Sequence, residues 1–216
     1  MIKLSLPGKE ADPFVVLCLG AHSDDIEIGC GGTLLYLKNT VPRASFHWVV
    51  FSAAGPRVQE AMKAAELFTA GREKKIVMKT FRDGFMPYRG ADVKEFFEEL
   101  KGQVNPDLIF THWRGDAHQD HRLISELTWN TFRDHLILEY EIPKYDGDLG
   151  QPGMFVPLQL EVCRQKVRHI LDAFQSQHSK RWFEEQTFMS VMRLRGMECN
   201  APSGHAEAFH CRKMTL

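Results

Sequence analysis

The residues best equipped for chemistry in this chain are His22, Asp24 and Asp25, within Ala21-His22-Ser23-Asp24-Asp25-Ile26-Glu27. They follow the apolar run Phe14-Val15-Val16-Leu17-Cys18-Leu19, which reads as a buried strand carrying one imidazole and two carboxylates to its C-terminal end. Open α/β sheets bind their ligands at that edge. Folding alone does not ask for such a cluster, because a carboxylate there must be solvated, hydrogen-bonded or bound to a cation. A second cluster, Asp116-Ala117-His118-Gln119-Asp120-His121, follows another apolar run ending at His112. Together the two read as a mononuclear metal hydrolase.

His22 and Asp25 are three residues apart, so one helical turn or tight loop can aim both at one ion. Imidazole and carboxylate suit Zn²⁺, which takes nitrogen or oxygen ligands at about 2.0–2.2 Å. Fe²⁺ or Co²⁺ would accept the same donors. His121 supplies a third ligand from a distant strand end, and two histidines with one carboxylate leave a position open for water. Asp24 is then free to act as general base, since an ion on Asp25 separates the two carboxylate charges. His118 is expected to stabilise a developing oxyanion or to protonate a leaving amine, with Asp120 orienting it and raising its pKa.

Each cluster also has a plainer reading. His-x-Asp-Asp alone fits a solvated turn, and His118 and His121 alone fit the first turn of a surface helix with Asp116 as its N-cap. Their joint occurrence behind two apolar strands favours the metal site. His112 reads as a core residue or as packing behind the pocket. Arg114 reads either as a binder of an anionic substrate group or as a solvated arginine.

The surrounding elements recur as strand then helix: strands near 14–20, 46–51, 76–78, 107–112 and 136–140, with helices near 33–38, 57–69 and 93–102. This order implies α/β architecture, a single Rossmann-like domain over 1–216 with a mostly parallel sheet flanked by helices. Gly29-Cys30-Gly31-Gly32 matches no phosphate-loop register; it reads as a close turn into the helix that starts at Thr33, with backbone close approach behind the metal loop. Residues 142–157, rich in proline and glycine, read as a loop that either walls the substrate site or connects passively. A long helix is expected over 158–174, a short one over 182–188 and a late strand over 188–194.

Bulk properties narrow the class. The chain is 44% hydrophobic and 25% charged with a formal charge of −1, so no global field attracts nucleic acid or an anionic membrane. No aromatic-basic alternation marks a nucleic-acid surface. Five cysteines without metal-ligand spacing read as free thiols of a reducing compartment. The opening residues lack the apolar core of a signal peptide, and no apolar stretch is long enough to span a bilayer. The expected location is cytoplasmic.

His22-Ser23-Asp24-Asp25, Gly29, Gly31-Gly32-Thr33 and His118-Gln119-Asp120-His121 resemble the PIG-L/LmbE-like deacetylase family. Arg57-x-x-Glu60, Ser176-Gln177 and Ala206-Glu207-Ala208-Phe209 support the resemblance. It implies an LmbE-like fold and zinc-dependent removal of the acetyl group from an N-acetylglucosamine-type amino-sugar conjugate, with self-association of the chain as a further implication. Carried over by residue, His22, Asp25 and His121 become the zinc ligands, Asp24 the base, His118 the stabilising or acidic imidazole and Asp120 its partner. Arg57 is similar to a substrate-side arginine of some members. Ser23 and Gln119 stand where prolines are usual, and Asp116 stands where some members place a tyrosine. A metal-dependent hydrolase of another small-molecule amide or carbamate, and a non-catalytic sugar-conjugate binder, are the rival readings.

Overall fold

The computed structural model describes Lys3 and residues 13–215. Strand β1 (Phe14–His22) is covered on both faces, which an unbroken apolar run without polar alternation requires. Val16 and Cys18 enter one apolar layer, whereas Leu17, Leu19 and Ala21 enter the other. β1 pairs in parallel with β2 (Ala44–Ser52) on one side and β4 (Leu108–His112) on the other. β3 (Lys74–Met78) extends the sheet beyond β2, and β5 (Leu136–Tyr140) extends it beyond β4. Two antiparallel strands complete the seven: β7 (Ala206–Cys211) beside β5, and β6 (Met154–Pro157) outside β7. The outer flanks are β3, which opens on Lys74-Lys75, and the four-residue β6, which closes on the exposed Pro157.

Helices α1 (Asp25–Thr40), α2 (Pro56–Thr69), α5 (Leu160–Ala173) and α6 (Glu185–Glu198) supply the apolar layer on one face; α3 (Gly90–Gln103) and α4 (Gln119–Thr131) supply the other. The chain leaves β1 toward β2 and leaves β4 toward β5, in opposite directions along the sheet. That reversal opens a crevice at the carboxyl ends of β1 and β4. Both sequence clusters lie there. Among the described residues no helix is long and apolar enough to cross a membrane, and the five cysteines are free thiols.

Four expectations about local structure are corrected. The glycine segment is not a turn: α1 begins at Asp25 and runs through it. A Cβ at Gly29 would lie 2.1 Å from Tyr140 Cδ2, and one at Gly31 2.6 Å from Phe68 Cε1. Glycine costs about 1 kcal/mol against alanine inside a helix, and here the cost is offset by close approach of α1 to its neighbours. Glu207 adds a polar clamp, accepting the amides of Gly32 at 2.8 Å and Thr33 at 2.6 Å together with buried Lys166 Nζ at 2.6 Å.

Residues 188–194 are helical rather than a strand. Phe188, Met192, Arg195 and Gly196 are the buried positions of α6, a 3–4 spacing that the compact apolar run around Met189 hides. Of the short helix expected over 182–188, residues 185–188 are the first turn of α6, and residues 182–184 are the turn that leads into it. Residues 142–157, expected to lack regular structure, end in β6.

Gly29→Ala is expected to destabilise the protein by about 2 kcal/mol, overpacking outweighing the gain in helix propensity. Tyr140 cannot slide aside freely, because its hydroxyl donates to Leu19 O at 2.6 Å. Urea unfolding measures the effect; a midpoint equal to that of the native chain would show that the ring yields.

Candidate metal centre

His22 is the last residue of β1, and its amide donates to Asp25 Oδ2 at 2.6 Å, folding the first turn of α1 back over the strand end. Asp24 occupies the N-cap position of α1 without capping it. Its carboxylate Oδ1 instead accepts from Arg57 Nη2 at 2.7 Å, on the first turn of α2. The second cluster opens α4. Here His118, not Asp116, is the N-cap: its Nδ1 accepts the amide of Asp120 at 3.2 Å. Asp116 Oδ1 accepts the amide of His118 at 2.8 Å, and Asp116 Oδ2 meets His121 Nδ1 at 2.9 Å.

These partners fix the tautomers. His121 Nδ1–H donates to Asp116, so the Nε2 lone pair faces inward. His22 Nε2 lies 3.0 Å from Asp83 Oδ1 and 3.3 Å from Asp120 Oδ2, so Nε2 keeps a proton and Nδ1 is the inward atom, whose lone pair becomes available when the ring is neutral. The inward atoms meet: His22 Nδ1 to His121 Nε2 is 3.1 Å, His22 Nδ1 to Asp25 Oδ2 is 3.3 Å, and His121 Nε2 to Asp25 Oδ1 is 3.6 Å. Ligands about 2.0–2.1 Å from a tetrahedral ion lie roughly 3.3–3.4 Å apart. The donor set therefore fits a small divalent cation, with each histidine held from outside by a carboxylate as metal ligands usually are.

The electrostatics point the same way. Burial alone would lower the His22 pKa, but Asp25, Asp120 and Asp83 raise it well above the ordinary value. Burial would raise the Asp25 carboxyl, yet His121, His112 and His22 hold it well below the usual range. The His22 hydrogen bond lowers Asp83 to about 2. The carboxylates of Asp25 and Asp83 therefore stay ionised in the crevice.

Two nearby groups are less suited to hold an ion. His112 Nε2 lies 3.2 Å from Asp25 Oδ2, and the fully buried ring stacks on His121 at 3.9 Å. Its Nε2 lone pair, however, is occupied by the amide of Ala21 at 2.9 Å, and burial lowers its pKa to about 4. In the group formed by His22, Asp83, His118 and Asp120, both carboxylates face the His22 Nε2–H, and the His118 Nδ1 lone pair serves the helix cap.

Asp120 does not orient His118 through its carboxylate. That group accepts the amides of Gly84 at 2.7 Å and Met86 at 3.1 Å, holding the 83–86 loop against His22. Nor is the His118 pKa raised as expected: burial, then the positive fields of His121 and His22, lower it despite Asp120 and Asp25. With Nδ1 accepting an amide, His118 is a neutral imidazole that donates through Nε2. Arg57, expected near substrate, contacts Asp24. Arg114 is tied to Glu139 through Nε at 3.2 Å and Nη2 at 3.1 Å. Sequence reasoning missed Asp83, the Asp116–His121 contact and Lys144, whose Nζ is 3.0 Å from Asp116 Oδ2. Asp116 alone carried a signal, five residues before a candidate ligand.

The fold and this cluster define a Rossmann-like α/β protein whose switch-point crevice gathers a histidine and aspartate donor set of a size that fits a divalent cation. A family model described as PIG-L: GlcNAc-PI de-N-acetylase matches residues 17–132, which include both clusters, and the chain belongs to that deacetylase family. Solved structures share the fold at low identity. The N,N'-diacetylchitobiose deacetylase of Pyrococcus horikoshii aligns with a TM-score of 0.66 and 19% identity, over 93% of this chain and 84% of that one. A zinc-inhibited form of the teicoplanin deacetylase Orf2 gives 0.70 and 13%, over 93% and 100%. GalB, the 4-carboxy-2-hydroxymuconate hydratase of Pseudomonas putida, gives 0.75 and 17%, over 94% and 97%. The fold thus hosts deacetylases and a hydratase alike, so function must be argued from the site.

Proposed function

We propose that the protein is a zinc-dependent hydrolase that removes the N-acetyl group from an N-acetylglucosamine-type amino-sugar conjugate, releasing acetate. The observation that carries this reading is the inward-facing set of His22 Nδ1, His121 Nε2 and Asp25, with the carboxylate of Asp24 next to it in sequence. His22, Asp25 and His121 would hold the cation. Bound there, a divalent ion supplies Lewis-acid polarisation of the acetamide carbonyl and acidifies a water.

The chain's own residues do the rest. Asp24 takes the proton of the attacking water and returns it to the departing nitrogen, so water and amide are converted to acetate and free amine. Arg57 fixes Asp24 through Oδ1, which limits the carboxylate to one approach. His118 donates its Nε2 proton as a hydrogen bond to the oxygen that gains charge during attack, an interaction stronger in the transition state than in the ground state. The cap on Nδ1 keeps that donor oriented without ionising it.

A panel of N-acetylglucosamine conjugates, assayed with Zn²⁺-reconstituted protein by direct acetate detection, tests the proposal. Equal amounts of acetate and primary amine are expected from at least one conjugate. Turnover restricted to other amides or carbamates would replace the substrate assignment. Binding without turnover on every conjugate would make this a sugar-conjugate binding protein instead.

A further inference from the structure

We infer that Lys144 is a positioning residue for the metal centre, fastening the segment after β5 to Asp116, the carboxylate that orients His121. The inference rests on the proposed function in taking His121 as a ligand. It begins from one shared atom: Asp116 Oδ2 meets His121 Nδ1 at 2.9 Å and Lys144 Nζ at 3.0 Å. Lys144 also binds Asp148 Oδ2 at 2.5 Å, and that same oxygen accepts the amide of Ala117 at 2.6 Å. The ammonium is therefore bracketed by the carboxylates of Asp116 and Asp148, and Asp148 also holds the amide of Ala117. Its side chain is 11% exposed, against 2% for Asp116.

The segment that presents Lys144 is anchored independently. Gly150 donates its amide to Glu141 Oε1 at 2.6 Å and accepts Arg195 Nη2 on its carbonyl at 3.1 Å. A Cβ on Gly150 would lie 2.7 Å from Trp113 Cη2, so the glycine lets the indole close against the segment. A floating lysine would offer little here, because a flexible surface pair contributes almost nothing. Lys144 instead hangs from a backbone pinned at Gly150 and reaches a carboxylate with almost no solvent.

The physical effect follows from the shared oxygen. A buried carboxylate needs most of its lone pairs occupied, and Lys144 fills a direction that water does not reach. Its charge also offsets that of Asp116, so the carboxylate holds the His121 Nδ1–H as a hydrogen bond and the ring stays in one plane. Outer contacts of this kind typically change metal affinity by about 10–100-fold when removed.

Lys144→Met keeps side-chain length and removes the charge, and Lys144→Arg restores it. Asp148→Asn is the control, since it weakens the other grip on the segment and spares the Lys144–Asp116 contact. Zn²⁺ affinity is measured by chelator competition, the ligand field by the visible spectrum of the Co²⁺-substituted protein, and the His121 Nδ1–H by imidazole NMR. For Lys144→Met we expect about 10-fold weaker Zn²⁺ binding, shifted Co²⁺ bands and faster exchange of the Nδ1 proton. Lys144→Arg is expected to recover all three, and Asp148→Asn to keep native Co²⁺ bands. Native affinity and bands in Lys144→Met would overturn the inference, as would the same band shift in Asp148→Asn. If the native chain bound no divalent ion, the deacetylase reading would fall. The Nδ1 proton would then decide alone, with unchanged exchange in Lys144→Met overturning the positioning role and faster exchange supporting it.

Discussion

An Asp24→Asn protein is expected to release acetate about 10²–10⁴-fold more slowly than the native chain while binding the same amount of metal, the range typical for loss of a general base. Asparagine keeps the shape of the side chain and can still accept Arg57 Nη2 through its oxygen, so the α1–α2 contact survives. What it loses is the capacity to take a proton. Asp25, which closes on His22 and His121, is untouched. Initial rates of acetate release, paired with elemental analysis of bound metal, separate the outcomes. A native rate would remove Asp24 from the proton path. A protein stripped of metal would make Asp24 a ligand and require a new donor set.

His121→Ala attacks the other half of the site and is expected to act through the cation. Its Nε2 is one of three inward donor groups, and alanine leaves His22 and Asp25 alone on one side of the crevice. Two protein ligands do not hold a catalytic zinc, which normally has three. The polarisation that a bound ion contributes is worth several kcal/mol, so activity should fall by about 10³-fold or more at equal metal concentration. Prolonged chelation of the native chain should produce the same loss, reversed by restoring Zn²⁺. Full activity in chelator would exclude a cation from the reaction.

The part of the fold legible in sequence was the part fixed by local pattern. β1 and β4 announced themselves as apolar runs, and the polar clusters behind them could lie only at strand ends. The helical start at Asp25 was hidden because Gly29, Gly31 and Gly32 argue against helix on propensity. Their reason is tertiary: Tyr140, Phe68 and Leu158 come from elements far along the chain. α6 was misread for a related reason, its buried positions being diluted by exposed Leu194 and Met197.

At the site, donor types and spacing were readable, but the hydrogen bonds among them were not. The Asp116–His121 contact depends on where α4 starts, which His118 decides by capping it. Asp83 and Lys144 sit in connections with no periodicity to mark them. The direction of the His118 shift is set by burial and then by the neighbouring imidazoles, which no spacing rule supplies.

The two flanks of the sheet bear on how copies of this chain could meet. β3 opens on lysines and β6 is short and ends in proline. The exposed charge of Lys75 repels an incoming strand, and a proline offers it no amide. Ribbon-like growth by strand addition is therefore discouraged at both ends of the sheet.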